Sequence, residues 1–350
     1  MPNKTKVLPL VSVVIATHNS ESLLEKVLDS IRMQEYPKNK IEILIIDGKS
    51  TDNTLLIGKR YFCRLFNNPK IDQVYAKYMG YLKAKGKYLL FLDSDEVLEN
   101  NKSIRNKVDA MISNDMVKVV VSSGYKIADG YPQINSYLSE LGDPFTYFMY
   151  RDSKDPRFFK KNLLRKYKVI SQDRKKAIFD FSEGPTPFIE LTSMGVLIDL
   201  DYVRKNVPEI FKNPSTHTHL FYLMNFKKNL FAVMKDDPIV HYSASTLSSY
   251  FKKLRSRVKS NIFATDMGKA GFRGRENYQS LLYTIKKFIF VLYVISIIFP
   301  LVDAIYLSLS RGKLIYLSHF ILSFIVLFMI VYFYILKIFN RETNLIVYVT

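Results

Sequence analysis

The chain of 350 residues has one cysteine, Cys63, which excludes an internal disulfide and a cysteine-based zinc site and fits a reducing compartment. Tryptophan is absent. Acidic residues are scarce: 32 Asp and Glu stand against 51 Lys and Arg, a formal net charge of +19. That excess implies an anionic partner, whether nucleic acid, lipid headgroups or a phosphorylated small molecule. Internal repeats and long low-complexity tracts are also missing. Near the start, the apolar stretch 7–16 is broken by Pro9 and Ser12 and has no small-residue cleavage site, so it does not read as a signal peptide. Apolar residues, by contrast, make up 48% of the chain. Beyond Lys287 they are almost continuous, whereas the part before it reads as an α/β protein.

Residues 11–16 form a β-branched run that predicts a buried strand. Thr17, His18, Asn19, Ser20 and Glu21 then supply a polar turn, and Leu23, Leu24, Val27, Leu28 and Ile31 recur at helical spacing. Residues 41–46 predict a second strand, ending in the turn-rich stretch 47–54, with a helix to about Lys59. A short strand is expected near Leu65. Residues 74–84 predict a helix with Tyr75, Met79 and Leu82 inward, and Gly86 turns the chain into a third apolar run that ends at Asp93-Ser94-Asp95. Strand-helix alternation is the mark of a parallel sheet. If parallel, the three strands place their polar ends around Thr17, Asp47 and Asp93 on one rim, where ligands of open α/β sheets sit. Two carboxylates at i and i+2 suit Mg²⁺ or Mn²⁺ carrying a phosphate; a solvated turn is the bland alternative.

The ordered set of Val13-Val14-Ile15-Ala16-Thr17-His18-Asn19, Ile45-Ile46-Asp47-Gly48 with Ser50-Thr51-Asp52, Ala84-Lys85-Gly86-Lys87-Tyr88 and Asp93-Ser94-Asp95 resembles the family 2 glycosyltransferases over about the first hundred residues. The resemblance implies the GT-A fold, a Rossmann-like, mostly parallel sheet flanked by helices, and transfer from a nucleotide-sugar with a divalent cation, Mn²⁺ or Mg²⁺. It implies donor-binding roles for Thr17, Asn19, Glu21, Asp47, Asp52, Lys77, Asp93 and Ser94, with Asp47 reaching the base. Asp95 would be catalytic through the cation that bridges the diphosphate. His241, on an apolar stretch at 238–242, matches a histidine that closes the metal site in many GT-A enzymes, giving the set Asp93, Asp95 and His241; a packed core histidine is the other reading. Inversion at the anomeric carbon is implied by the family.

Residues 119–121 and 194–198 predict further strands, 231–234 and 238–242 a last strand pair. Residues 125–176, rich in Tyr, Phe, Lys and Arg without periodicity, read as a basic surface excursion rather than an acceptor site. One departure stands out. Relatives carry a Glu-Asp pair, the base for an acceptor hydroxyl, ahead of a Lys-Lys-Gly turn, but here the positions read Ser215-Thr216-His217-Thr218-His219. Either His217 or His219 is the base, or the acceptor is a lipid phosphate, already ionised and needing none, or the protein is a weak or inactive homologue.

Residues 249–259 interleave Lys and Arg with Phe251, Leu254 and Val258, which suits an amphipathic helix on anionic headgroups; a basic helix packed by those three residues is the alternative. Lys269, Arg273, Arg275, Lys286 and Lys287 extend the basic run. Residues 288–309, interrupted by Pro300 and Asp303, and 314–336 are expected to form a two-helix transmembrane hairpin whose turn, Ser310-Arg311-Gly312-Lys313, faces outside while the catalytic domain is cytoplasmic. Asp303 and His319 stand out as ionisable residues at membrane depth. The expected layout is a glycosyltransferase domain at 1–245, basic juxtamembrane helices at 246–287, two spans within 288–340 and a tail at 341–350. The favoured function is transfer of a sugar to a polyprenyl (dolichyl) phosphate or a glycan on such a carrier. A membrane-anchored binding homologue is the alternative, and a polysaccharide synthase a third, disfavoured because its Gln-x-x-Arg-Trp segment needs a tryptophan. Partners are the nucleotide-sugar donor, the lipid-linked acceptor and anionic lipids; the charge lies beside the spans, against nucleic acid, and self-association of the hairpin is left open.

Overall fold

The apolar runs become strands in the expected order. The computed structural model describes residues 7–182, 189–263 and 271–339. The expected tail at 341–350 and Lys269 lie outside these, and nothing is described of the Arg273 side chain. The first half of the sheet comes from β1 (Val11–Thr17), α1 (Glu21–Arg32), β2 (Ile41–Asp47), α2 (Thr54–Arg60), β3 (Arg64–Asn67), α3 (Gln73–Lys83) and β4 (Tyr88–Asp93). These four strands are parallel, with Thr17 opposite Asp47 and Ala16 opposite Asp93. Three polar strand ends therefore share one rim.

The face that α3 buries is not the one expected. Ala76, Lys77, Gly80 and Tyr81 point inward, while Leu82 is 47% exposed. Gly80 decides this: a Cβ there would lie 2.7 Å from Val14 Cγ1, so the helix settles on β1 along its glycine.

After β5 (Glu96–Leu98) and α4 (Ser103–Ile112) come β6 (Val117–Val121), β7 (Gly124–Ile127), α5 (Ile134–Leu141), α6 (Pro144–Tyr150), α7 (Phe159–Lys166), β8 (Lys168–Gln172) and β9 (Lys176–Asp180). Then follow β10 (Val196–Asp199), α8 (Leu200–Asn206), α9 (Leu220–Phe226), β11 (Leu230–Met234) and β12 (Pro238–His241). Among the described residues the large sheet runs β3-β2-β1-β4-β10-β6-β11-β9-β8. It is mixed rather than mostly parallel, because β10 enters antiparallel between β4 and β6 and β9 runs antiparallel to both β11 and β8.

The expected last strand pair is split between two sheets. β11 joins the large one, and β12 joins a small sheet, β5-β12-β7. At the corner between them Asp237 is buried, 2.6 Å from the Lys107 ammonium and 3.2 Å from Ser122 Oγ. A buried carboxylate needs such a partner, and it holds the turn that sends β12 to the rim.

Of the surface excursion expected at 125–176, residues 168–175 are exposed, but α5 and α6 are largely buried. Tyr137, Leu138 and Leu141 of α5 and Phe148 of α6 join a second apolar core with residues of α10 (Leu247–Ile262), α11 (Gly271–Arg275), α12 (Leu281–Ile295), α13 (Ile298–Arg311) and α14 (Ser318–Ile338), among them Tyr250, Leu254, Tyr293 and Leu322. The aromatic richness that hid any periodicity is what fills this interface. The expected first span is not one helix: α12 and α13 meet at 90°. Pro300 has no N–H for the carbonyl of Ser296, and Ile297 takes φ +62, so the helix restarts there. Among the described residues, 314–338 is the one helix long and apolar enough to cross a membrane unbent.

Candidate active site

A cleft of about 600 Å³ opens at the carboxyl rim of β1 and β4. Its floor is tied together by the loops after β1 and β2. Thr17 Oγ1 donates to Asp47 Oδ1 at 2.9 Å, Asp47 Oδ2 accepts the Ser50 N–H at 2.8 Å, and Asn19 Oδ1 accepts the Thr51 N–H at 2.8 Å. Glu21 Oε2 takes the Asn53 N–H at 2.8 Å, while Asp52 takes the Glu21 N–H at 3.1 Å and the Thr54 N–H at 3.0 Å. This reciprocal clasp uses the Asx-type capping expected of such loops. Thr17, Glu21, Asp47 and Asp52 therefore support the cleft without lining it, whereas Asn19, Lys77, Asp93, Ser94 and Asp95 line it.

The two aspartates part at the strand end. Asp93 Oδ1 is 2.8 Å from the Lys77 ammonium and 3.0 Å from Gln73 Nε2. Asp95 Oδ2 is 3.6 Å from His241 Nε2 and 3.4 Å from Lys253 Nζ. Pairing of β12 with β5 brings His241 there, since His241 falls opposite Glu96 and the Tyr242 N–H donates to the Asp95 carbonyl at 2.9 Å. His241 is further oriented by Ser139 Oγ, 3.1 Å from Nδ1, and by stacking on Tyr125 with ring centroids 4.5 Å apart. Burial works to raise the Asp95 pKa, but His241 and Lys253 outweigh it and hold the group below the ordinary carboxylate range. Behind them Glu96 is fully buried, accepting the Met194 N–H at 2.9 Å and the Asp93 N–H at 3.2 Å, and bonded to the Tyr125 hydroxyl. Burial, helped by the Asp93 charge, pushes its pKa up to about 7.

The expected three-ligand metal set is not gathered: Lys77 and Gln73 draw Asp93 aside, and among the described residues no group of three His, Cys, Asp or Glu is placed to hold a metal. Asp95 and His241 nevertheless form an oxygen-nitrogen pair beside the cleft. Such a pair fits a Mg²⁺ or Mn²⁺ that takes its other ligands from a diphosphate and water.

His217 is turned away from the cleft. Its Nε2 lies 2.7 Å from the Val74 carbonyl, its ring is 1% exposed, and burial brings its pKa down to about 4. It bonds to the start of α3 and does not line the cleft. His219 is likewise buried, against Tyr278. The carboxylate absent from that stretch is matched by one the sequence did not flag: Glu190 lines the cleft 3.5 Å from Lys154 Nζ. Despite the opposing effect of burial, Lys154 and Lys77 bring its pKa down to about 2.

The opposite wall comes from residues outside the expected site. Lys253 and Arg257, on α10, face the cleft with Lys154 and Arg275. The helix expected to rest on headgroups packs Tyr250, Leu254, Val258 and Ile262 inward. Its signal was legible: Lys253 and Arg257 are one turn apart and flank the buried stripe.

The sequence model of Glycosyl transferase family 2 matches residues 12–180. A poly(ribitol-phosphate) beta-glucosyltransferase of Bacillus spizizenii is 26% identical over 240 residues, covering 65% of this chain and 36% of that protein. A dolichyl N-acetyl-alpha-D-glucosaminyl phosphate 3-beta-D-2,3-diacetamido-2,3-dideoxy-beta-D-glucuronosyltransferase of Methanococcus voltae is 32% identical over 142 residues, covering 32% of this chain and 44% of that protein. The chain spans less than half the length of either relative. A mannosyltransferase of Pyrobaculum calidifontis, solved in complex with GDP-Man and Mn²⁺, superposes with a TM-score of 0.53 at 13% identity, covering 96% of this chain and 89% of that one. At that identity the likeness is one of fold.

Proposed function

The chain belongs, through residues 12–180, to glycosyl transferase family 2, and on that premise we propose that it moves a sugar, with inversion, from a nucleoside diphosphate donor to a phosphate-bearing lipid-linked acceptor at the cytoplasmic face of a membrane. The observation that carries this is the cleft itself: Asp95 and His241 stand on one side and Lys77, Lys154, Lys253, Arg257 and Arg275 surround the remainder. Four of these cations face a carboxylate, Lys77 with Asp93, Lys154 with Glu190, Lys253 with Asp95 and Arg257 with Asp143, and spread along the cleft as they are, they suit a diphosphate and, beside it, a phosphate-bearing acceptor. The dolichyl-linked relative and the neighbour with GDP-Man and Mn²⁺ are consistent with it.

Asp95 and His241 are the residues that would hold the divalent cation, which when bound offsets charge on the departing diphosphate. Lys77, fixed by Asp93, and Lys253, fixed by the Ser243 carbonyl at 2.6 Å, present ammonium groups to the phosphates. An acceptor phosphate is ionised at neutral pH and attacks without a base, which accords with His217 being buried. A hydroxyl acceptor needs one, and Glu190 is the ionised cleft carboxylate available to it. A poly(ribitol-phosphate)-type acceptor is the second reading, favoured by the Bacillus relative and by the same cations.

The test supplies the detergent-purified protein with a panel of nucleotide-sugars and Mn²⁺ or Mg²⁺, with and without a polyprenyl phosphate or poly(ribitol-phosphate), and follows nucleoside diphosphate release. Acceptor-stimulated release is expected with one donor. No release with any donor leaves the binding-only alternative and sinks the transferase reading.

A further inference from the structure

We infer that the C-terminal helices do not cross the bilayer but lie along it, as an apolar raft seating the protein in one leaflet of an anionic membrane. This deepens the membrane part of the function proposed above and rests on that part alone.

The first observation is how α14 is held. Near its start His319 is bonded to the Tyr137 hydroxyl of α5 at 2.6 Å and to the Tyr293 hydroxyl of α12 at 2.9 Å. Near its end the Lys337 ammonium donates to the Ile262 carbonyl of α10 at 2.7 Å, and Phe333 meets Phe263 edge-on at 6.2 Å. About 27 Å of helix separates these ties, close to the roughly 30 Å of a hydrocarbon core. Both ties reach the helices that wall the cleft. An upright α14 would drag α10, with Lys252, Arg255 and Lys259, into hydrocarbon, where such charges are strongly disfavoured.

The second observation is that α14 has two apolar faces. Leu322, Val326 and Phe333 are buried against the protein, whereas Ile321, Phe324, Phe328, Val331, Ile335 and Ile338 are exposed along its whole length at helical spacing. α12 and α13 add exposed Phe288, Leu292, Phe299 and Leu309, and their 90° bend breaks the straight span expected of 288–309.

The polar groups of these helices face the domain. Asp303 accepts from the Tyr293 hydroxyl at 2.6 Å and pairs with Arg151, and Arg311 reaches Glu140 at 2.8 Å. In the turn expected on the far side of the membrane, Lys313 Nζ lies 3.2 Å from Ser136 Oγ of α5. Exposed apolar stripes with a basic residue at their margin, Arg255 beside Phe324 and Phe328, match an anionic leaflet.

The test uses the full chain with Cys63→Ser and single cysteines at Ser310→Cys, Phe339→Cys and, on the catalytic domain, Lys102→Cys, labelled by a membrane-impermeant maleimide in sealed membrane vesicles. All three are expected to label from the same side. Labelling of either C-terminal cysteine only from the side opposite Lys102→Cys overturns the inference in favour of a span. Purified protein should float with phosphatidylcholine–phosphatidylglycerol vesicles and roughly tenfold less with phosphatidylcholine alone; no flotation with either overturns the lipid assignment. Phe328→Asp should weaken flotation by about tenfold while donor turnover in detergent persists; unchanged flotation counts against the raft. The labelling and flotation readouts need no substrate, so their failure is distinct from failure of the transfer reading.

Discussion

The two walls of the cleft are built over different lengths of chain. On the sheet side, Thr17, Asp47 and Asp93 come from strand ends within the first hundred residues and bond to neighbouring elements of that same stretch, while Asp95 reaches across to His241 and Lys253. On the helical side, Ser139, Glu140 and Arg257 are held by groups over a hundred residues away: Ser139 by His241, Glu140 by Arg311 and Arg257 by Asp143. Local clasps hold the sheet side. Buried long-range polar pairs hold the other, and losing one partner there strands a charge, which costs more than the pair contributes.

The largest expected effect breaks the helical wall. Glu140→Ala leaves the Arg311 guanidinium, 6% exposed, without its carboxylate and should destabilise the protein by about 3–5 kcal/mol, read as a lower unfolding midpoint in detergent and early proteolysis of the C-terminal helices. Asp95→Ala touches the sheet side and should do the reverse, cutting nucleoside diphosphate release by about a hundredfold with the unfolding midpoint close to that of the native chain. Full release after Asp95→Ala would contradict the metal-dependent reading. Lys253→Met lies where the walls meet, and the loss of one ammonium at the diphosphate should raise the donor KM by roughly tenfold.

The smallest effect is a pH slope. His217 has its pKa brought down to about 4 by burial, below its ordinary value of about 6.5, so between these values the unfolded chain binds the extra proton. Its contribution to stability is complete above pH 6.5 and is lost as pH falls toward 4. His217→Gln should flatten that acid limb of the unfolding midpoint and leave the pH profile of turnover unchanged. A shifted turnover profile would restore His217 as a base.

How much was legible follows the same division. The alternating strands and helices up to Asp93 could be read because each is a local pattern of apolar spacing and capping, and parallel strands bring successive ends to one rim. Glu190 could not be read, since nothing around it has a period or motif and only the arrangement of Lys77 and Lys154 gives it a setting. Pro300 did announce the break in the first apolar stretch, but not that α12 and α13 would bend back onto the domain.

By itself the sequence determined the family, the carboxylate pair at the end of β4 and the concentration of positive and apolar residues toward the C-terminus, all properties of contiguous residues. Only the tertiary structure decided which partners those residues met. It paired Asp95 with His241 and Lys253, separated Asp93 toward Lys77, and laid α14 along α10. Buried charges and apolar faces are satisfied wherever the folded chain brings a complement, and that complement is distant in sequence.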